Sequence, residues 1–143
     1  MRKLKRCWIR SPEIHVAVFE RKVGMLMFTL GEINIICTNL DRTLHFYRDI
    51  LGFEPTTDDE GFYHMQFGGK SFLLLPTAQQ QATAAAYETV AQFSMDLNVD
   101  DLEAAYTYLQ QQGVTIAKPW QPGDAMFVIR DPDGLPWEVV GPV

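Results

Sequence analysis

His64 lies in the run Phe62-Tyr63-His64-Met65-Gln66-Phe67, where strand alternation sets it on one face with Phe62 and Gln66. An imidazole so placed can act as acid, base or hydrogen-bond donor near neutral pH. Two further runs carry polar groups on one face only. Glu32, Asn34 and Ile36 oppose Ile33, Ile35 and Cys37, and Ser94, Asp96 and Asn98 oppose Phe93, Met95, Leu97 and Val99. Near the end, Glu138 alternates with Trp137. A carboxylate partly removed from water needs a cation, a donor or a proton, so Glu32, Asp96 and Glu138 are candidates for acid–base or ligand-binding work. Trp120, after Pro119, offers a ring for stacking and cation–π contact. Each residue also has a structural explanation: a histidine satisfied within a strand, a solvated polar face, a tryptophan covering a sheet edge. His15 and His45 have no constellation around them. No dinucleotide, Walker, G-x-S-x-G or Cys-His nucleophile pattern is present.

The 143-residue chain is 47% hydrophobic and 21% charged, which is ordinary globular usage and long enough for a core without disulfides. Cys7 and Cys37 make no CxxC pair and the histidines show no zinc spacing, so a reducing cytoplasm fits best. The basic start MRKLKRCWIR is followed by Ser11, Pro12, Glu13 and His15 rather than by an apolar stretch, so no export signal is read. No apolar run approaches the roughly 20 residues of a membrane span. Charge is uneven: residues 1–22 hold seven of the twelve Lys and Arg against two Glu, and the rest of the chain has five basic against sixteen acidic residues. An acidic body disfavours nucleic acid and favours neutral or cationic ligands.

The elements that must position these groups repeat. Asn39 is an N-cap for a helix with Leu40, Leu44, Tyr47 and Ile50 or Leu51 on one stripe and Gly52 just past its end. Residues 62–67 and 71–75 read as strands joined by Gly68-Gly69, after a turn-rich stretch from Pro55 to Gly61. The pattern restarts at Phe93: Asp101 lies 62 positions after Asn39, Leu102 after Leu40, and Ser94 after Glu32. Strands near 114–117, 126–130 and 137–140 follow, the last after the turn Asp131-Pro132-Asp133-Gly134. Trp137 is expected on the helix side, in the core. The organisation expected is a basic arm (1–29), a βαβββ module (30–77), a linker that can carry a short helix (78–91) and a second βαβββ module (92–143).

Two βαβββ modules, the helix ending Leu51-Gly52-Phe53 and the Asp-Pro-Asp-Gly turn before Trp137-Glu138 resemble the vicinal oxygen chelate superfamily, which holds glyoxalase I, extradiol dioxygenases, fosfomycin-inactivating enzymes and bleomycin resistance proteins. The resemblance implies an α+β fold of two modules paired into a half-barrel, often completed in a homodimer. Its inner face would gather Glu32, Asn34, Ser94, Asp96 and Glu138. The family's metal-ligand positions fall on Glu32, Ser94, Glu138 and the neighbourhood of Leu73, so only Glu138 keeps the usual type.

The resulting expectation is a cytoplasmic homodimer that sequesters a small molecule, neutral or cationic, in an acidic, aromatic-lined cavity without a metal cofactor. Asn34, His64, Ser94, Asp96 and Trp120 would contact the ligand. No nucleic-acid or membrane partner is expected. The alternative is a metal-dependent lyase, isomerase or dioxygenase, with Glu138 and Glu32 as its catalytic pair holding a hard cation. A third possibility is an interaction module that uses the basic head and a sheet edge.

Overall fold

The computed structural model describes residues 31–58, 61–83 and 85–142. The basic arm 1–29, with Cys7 and His15, lies outside the described residues.

Strand β1 (Ile33–Ile36) leads into α1 (Leu40–Leu44), which continues as a π-helical segment (His45–Ile50). The Asn39 carboxamide accepts from the backbone N–H of Arg42 at 2.9 Å, making the expected N-cap. Gly52 closes the helix at φ +79°, a left-handed conformation that explains glycine at this position. The π segment was not legible in the apolar spacing. Phe46 and Tyr47 within it are both buried.

Strands β2 (Glu54–Thr57), β3 (Tyr63–Phe67) and β4 (Lys70–Leu75) complete a sheet in the order β1-β4-β3-β2, with β1 parallel to β4. The start of the stretch expected to be a turn is therefore strand β2. It is exposed throughout and contains Pro55, so it shows no alternation, as an edge strand can. The second module repeats the plan: β5 (Met95–Asn98), α2 (Leu102–Gln111), β6 (Thr115–Lys118), β7 (Met126–Arg130) and β8 (Pro136–Val140), in the order β5-β8-β7-β6. Asp101 caps α2 as Asn39 caps α1, accepting from Ala104 N at 2.9 Å. The linker carries no helix among its described residues. No helix among the described residues is long and apolar enough to cross a membrane.

Ile35, Phe53, Met65, Phe72 and Leu74 of the first module share one core with Leu97, Leu109, Phe127, Trp137 and Val139 of the second. Trp137 is 3% exposed, with its ring against Tyr47, Phe53 and Phe72. It serves the core, as its alternation with Glu138 implies.

A polar network spans the two modules inside this apolar contact. The Tyr47 hydroxyl donates to Asp131 Oδ2 at 2.8 Å and accepts from Trp137 Nε1 at 3.1 Å. Asp131 Oδ1 accepts from the backbone N–H groups of Asp133 and Leu135. Asp133 accepts from Thr38 N at 3.0 Å and from Arg42 Nη2 at 2.9 Å. Burial pushes the Asp131 carboxyl above the ordinary carboxylate range and pushes the Tyr47 phenol well up. Tyr47→Phe should therefore cost about 1–3 kcal/mol in denaturant unfolding, because it leaves a buried carboxylate short of a donor and Trp137 Nε1 short of an acceptor. A change within error would show that the network does not hold the modules together.

Candidate functional site

The polar residues fall into two clusters and two neighbouring clefts. On the first sheet, His64 stands in register with Leu73 of β4 and Thr56 of β2. Its Nδ1 lies 3.0 Å from Glu32 Oε1 and its Nε2 lies 2.8 Å from Asp58 Oδ2. Asp58 is fixed by the β2–β3 connection, where its Oδ1 accepts from Phe62 N at 2.9 Å. Ser71 donates to Glu32 at 3.2 Å. The hydrogen bond to Asp58, helped by the nearby Glu32 charge, raises the His64 pKa.

On the second sheet, the Tyr87 hydroxyl donates to Glu138 Oε1 and lies 3.1 Å from Ser94 Oγ. Burial, then the bond to Glu138, raises the Tyr87 pKa. Tyr87 comes from the linker, and nothing in its Ala-, Gln- and Thr-rich composition marked it for this role. The linker is tied to the second module by Ala82 N to Asp133 O at 2.8 Å and Gln81 Nε2 to Pro132 O at 2.7 Å. At Gly134, φ is +93° and a Cβ would come within 3.1 Å of Ala82 O, so glycine permits both the turn and this approach.

Between β1, β5, the start of β8 and the linker lies a cleft of about 380 Å³. Ile33, Phe93, Met95 and Trp137 give it apolar walls, and Asn34, Gln92, Ser94 and Arg130 give it polar points. A neighbouring cleft of about 630 Å³ shares Ile33, Phe93, Ser94, Met95 and Trp137 and adds Lys70 and Asp96.

The structure thus brings Asn34 and Ser94 together on one cleft, and Ser94 and Asp96 on the other. It joins Ser94 to Glu138 through Tyr87, and it pairs Glu32 with His64 apart from these. Of the residues expected on one inner face, Asp96 and Glu138 are register partners on β5 and β8, and Glu32 lies with His64 on the first sheet. Trp120 lies on the helix side, 6.1 Å from the Tyr106 ring of α2, and its Nε1 donates to Asp124 O. The aromatic lining comes instead from Tyr47, Phe93 and Trp137. The expected acidic wall is absent from the smaller cleft, whose one charged side chain among the described residues is Arg130.

As a metal site the donor set does not fit. Leu73 and Ser94 stand at two of the four family positions, and Glu32 and Glu138 are engaged by His64 and Tyr87. Among the described residues no three His, Cys, Asp or Glu side chains come together to hold a metal ion.

Residues 29–139 match the model of the Glyoxalase/Bleomycin resistance protein/Dioxygenase superfamily, and the chain belongs to that family. Among solved structures, an integron cassette protein from the mobile metagenome of V. cholerae is similar at 25% identity and a TM-score of 0.60, over 83% of this chain and 98% of that one. Lactoylglutathione lyase from Agrobacterium tumefaciens is similar at 22% identity and a TM-score of 0.55, over 79% and 92%. The fosfomycin resistance protein FosX from Mesorhizobium loti is similar at 12% identity and a TM-score of 0.63, over 82% and 94%. The last two likenesses concern the fold alone. No curated protein is a significant match.

His64 gains its carboxylate partners on folding, so its native pKa lies above the ordinary 6.5. The stability this supplies is full below the unfolded value and lost as pH rises through the native one. Proton-detected titration should place the His64 midpoint above 6.5, and Asp58→Asn and Glu32→Gln should each lower it. A midpoint at or below 6.5 would show that the cluster does not form in solution.

Proposed function

We propose that the protein binds a small, mainly apolar organic molecule in the cleft between β1, β5 and the linker, and holds it without chemical change. The observation that carries this reading is the cleft itself. Its volume of about 380 Å³ falls in the range of small-ligand pockets, and a few polar groups are set in apolar and aromatic walls. Chemistry would need a poised acid, base or Lewis acid facing that space. The groups best suited to such work hold one another instead: Tyr87 donates to Glu138, and His64 sits between Glu32 and Asp58. Family membership is compatible with binding and with catalysis alike, so the reading rests on the site's geometry.

A thermal-unfolding screen of metal-stripped protein against neutral, anionic and cationic small molecules tests the reading. A ligand at about 100 times its Kd should add about 2.7 kcal/mol of stability, a shift of several degrees. Phe93 is 75% exposed beside the cleft, so Phe93→Asp should leave the fold intact while weakening an apolar ligand about tenfold. The same screen with Mg²⁺, Mn²⁺ and Zn²⁺ should show no shift that depends on Glu138. A metal shift abolished by Glu138→Gln would replace this reading with the metal-dependent enzyme.

A further inference from the structure

We propose that the ligand of the smaller cleft carries a carboxylate, which docks on the guanidinium of Arg130 while its apolar body lies against Ile33, Met95 and Trp137. The inference rests on the binding reading above and adds the charge of the ligand's head group.

Arg130 is 8% exposed at the end of β7, on the cleft wall. Its Nη1 donates to Gly134 O at 2.7 Å and its Nη2 donates to Ala85 O. Both acceptors are neutral carbonyls. The other described arginines each meet a carboxylate: Arg42 pairs with Asp133 at 2.9 Å and Arg48 with Asp49 at 2.6 Å. Arg130 forms no ion pair among the described residues, although the chain has eighteen acidic residues to offer. Burying a cation without a counter-charge is costly, and a guanidinium offers more donors than two carbonyls use. Its planar fork matches a carboxylate bidentately.

The rest of the cleft fits the remainder of such a molecule. Phe93 and Val90, 75% and 52% exposed, are apolar lining residues that an aliphatic or aromatic body would cover. Asn34 and Ser94 add neutral polar contacts for a hydroxyl or carbonyl group. No carboxylate among the described lining residues opposes the incoming anion. The proposal thus sets an anionic head group at this site, where overall charge favoured neutral or cationic ligands.

Isothermal titration of the full chain with octanoate, octanamide and octylamine separates the head group from the shared tail. Octanoate should bind at least about tenfold more tightly than octanamide, and octylamine more weakly than either. Arg130→Gln should bring octanoate to the level of octanamide and leave octanamide unchanged, while Arg130→Lys should retain part of the preference. Equal or tighter binding of the amide or the amine by the unaltered protein would overturn the carboxylate assignment and leave the binding cleft standing. So would octanoate binding that Arg130→Gln does not affect. If none of the three probes binds, the assignment falls, and the broader thermal screen then decides separately whether the cleft binds anything. Should Arg130→Gln fail to fold, the head-group comparison on the unaltered protein decides alone.

Discussion

The carboxylate of Asp131 sits 3% exposed in the turn between β7 and β8, and the arrangement of both modules depends on its being satisfied there. One oxygen accepts two backbone N–H groups of its own turn, and the other accepts the Tyr47 hydroxyl from the first module. The first pair shapes the hairpin, and the third bond fixes the hairpin against the helix of the opposite module. Because an unsatisfied buried carboxylate is so unfavourable, these roles cannot be separated without disturbing the fold. Trp137 on one side of the turn and Arg130 on the other inherit their positions from it. So does the linker, which bonds to the turn through Asp133 O and Pro132 O before passing Arg130 and reaching Glu138 with Tyr87.

The two modules share a backbone plan but not a surface. Helix caps, strand alternation and the left-handed glycine after α1 are set by interactions within a few residues, so they could be read from the chain. The same holds for the burial of Trp137, which follows from alternation and the need to cover apolar area. The edge strand β2 was hidden because an exposed strand need not alternate. The π-helical turn was hidden because its apolar spacing is also compatible with an α-helix.

At the site the division is similar. Asn34, Ser94 and Asp96 were legible as lining residues because Asn34 and Asp96 occupy the polar faces of β1 and β5, the two strands that border the clefts, and Ser94 continues that alternation just before β5. Arg130 was not, since a basic residue at the end of an apolar strand, just before a turn, reads as an ordinary solvated terminus. Its burial comes from the linker, whose low-complexity sequence gives no hint of its path. Tyr87 was missed for the same reason. His64 lies on β3 as its alternation implies and Glu32 just before β1, but their partner Asp58 belongs to a connection whose geometry depends on the unexpected strand β2.

Electrostatics shows most directly why composition is a poor guide to a binding site. A net charge of −6 describes the field far from the molecule, and salt screens that field within about 8 Å at physiological ionic strength. Inside a cleft, the nearest charge dominates, because the protein walls screen it less than bulk water does. Glu32 and Asp58 flank His64, and Asp133 pairs with Arg42, so those acidic groups have basic partners close by. Arg130, buried and met only by carbonyl dipoles, contributes most. The acidic exterior and a cleft whose charged lining residue is Arg130 are therefore compatible: the first sets the field at a distance, and the second sets the field met inside.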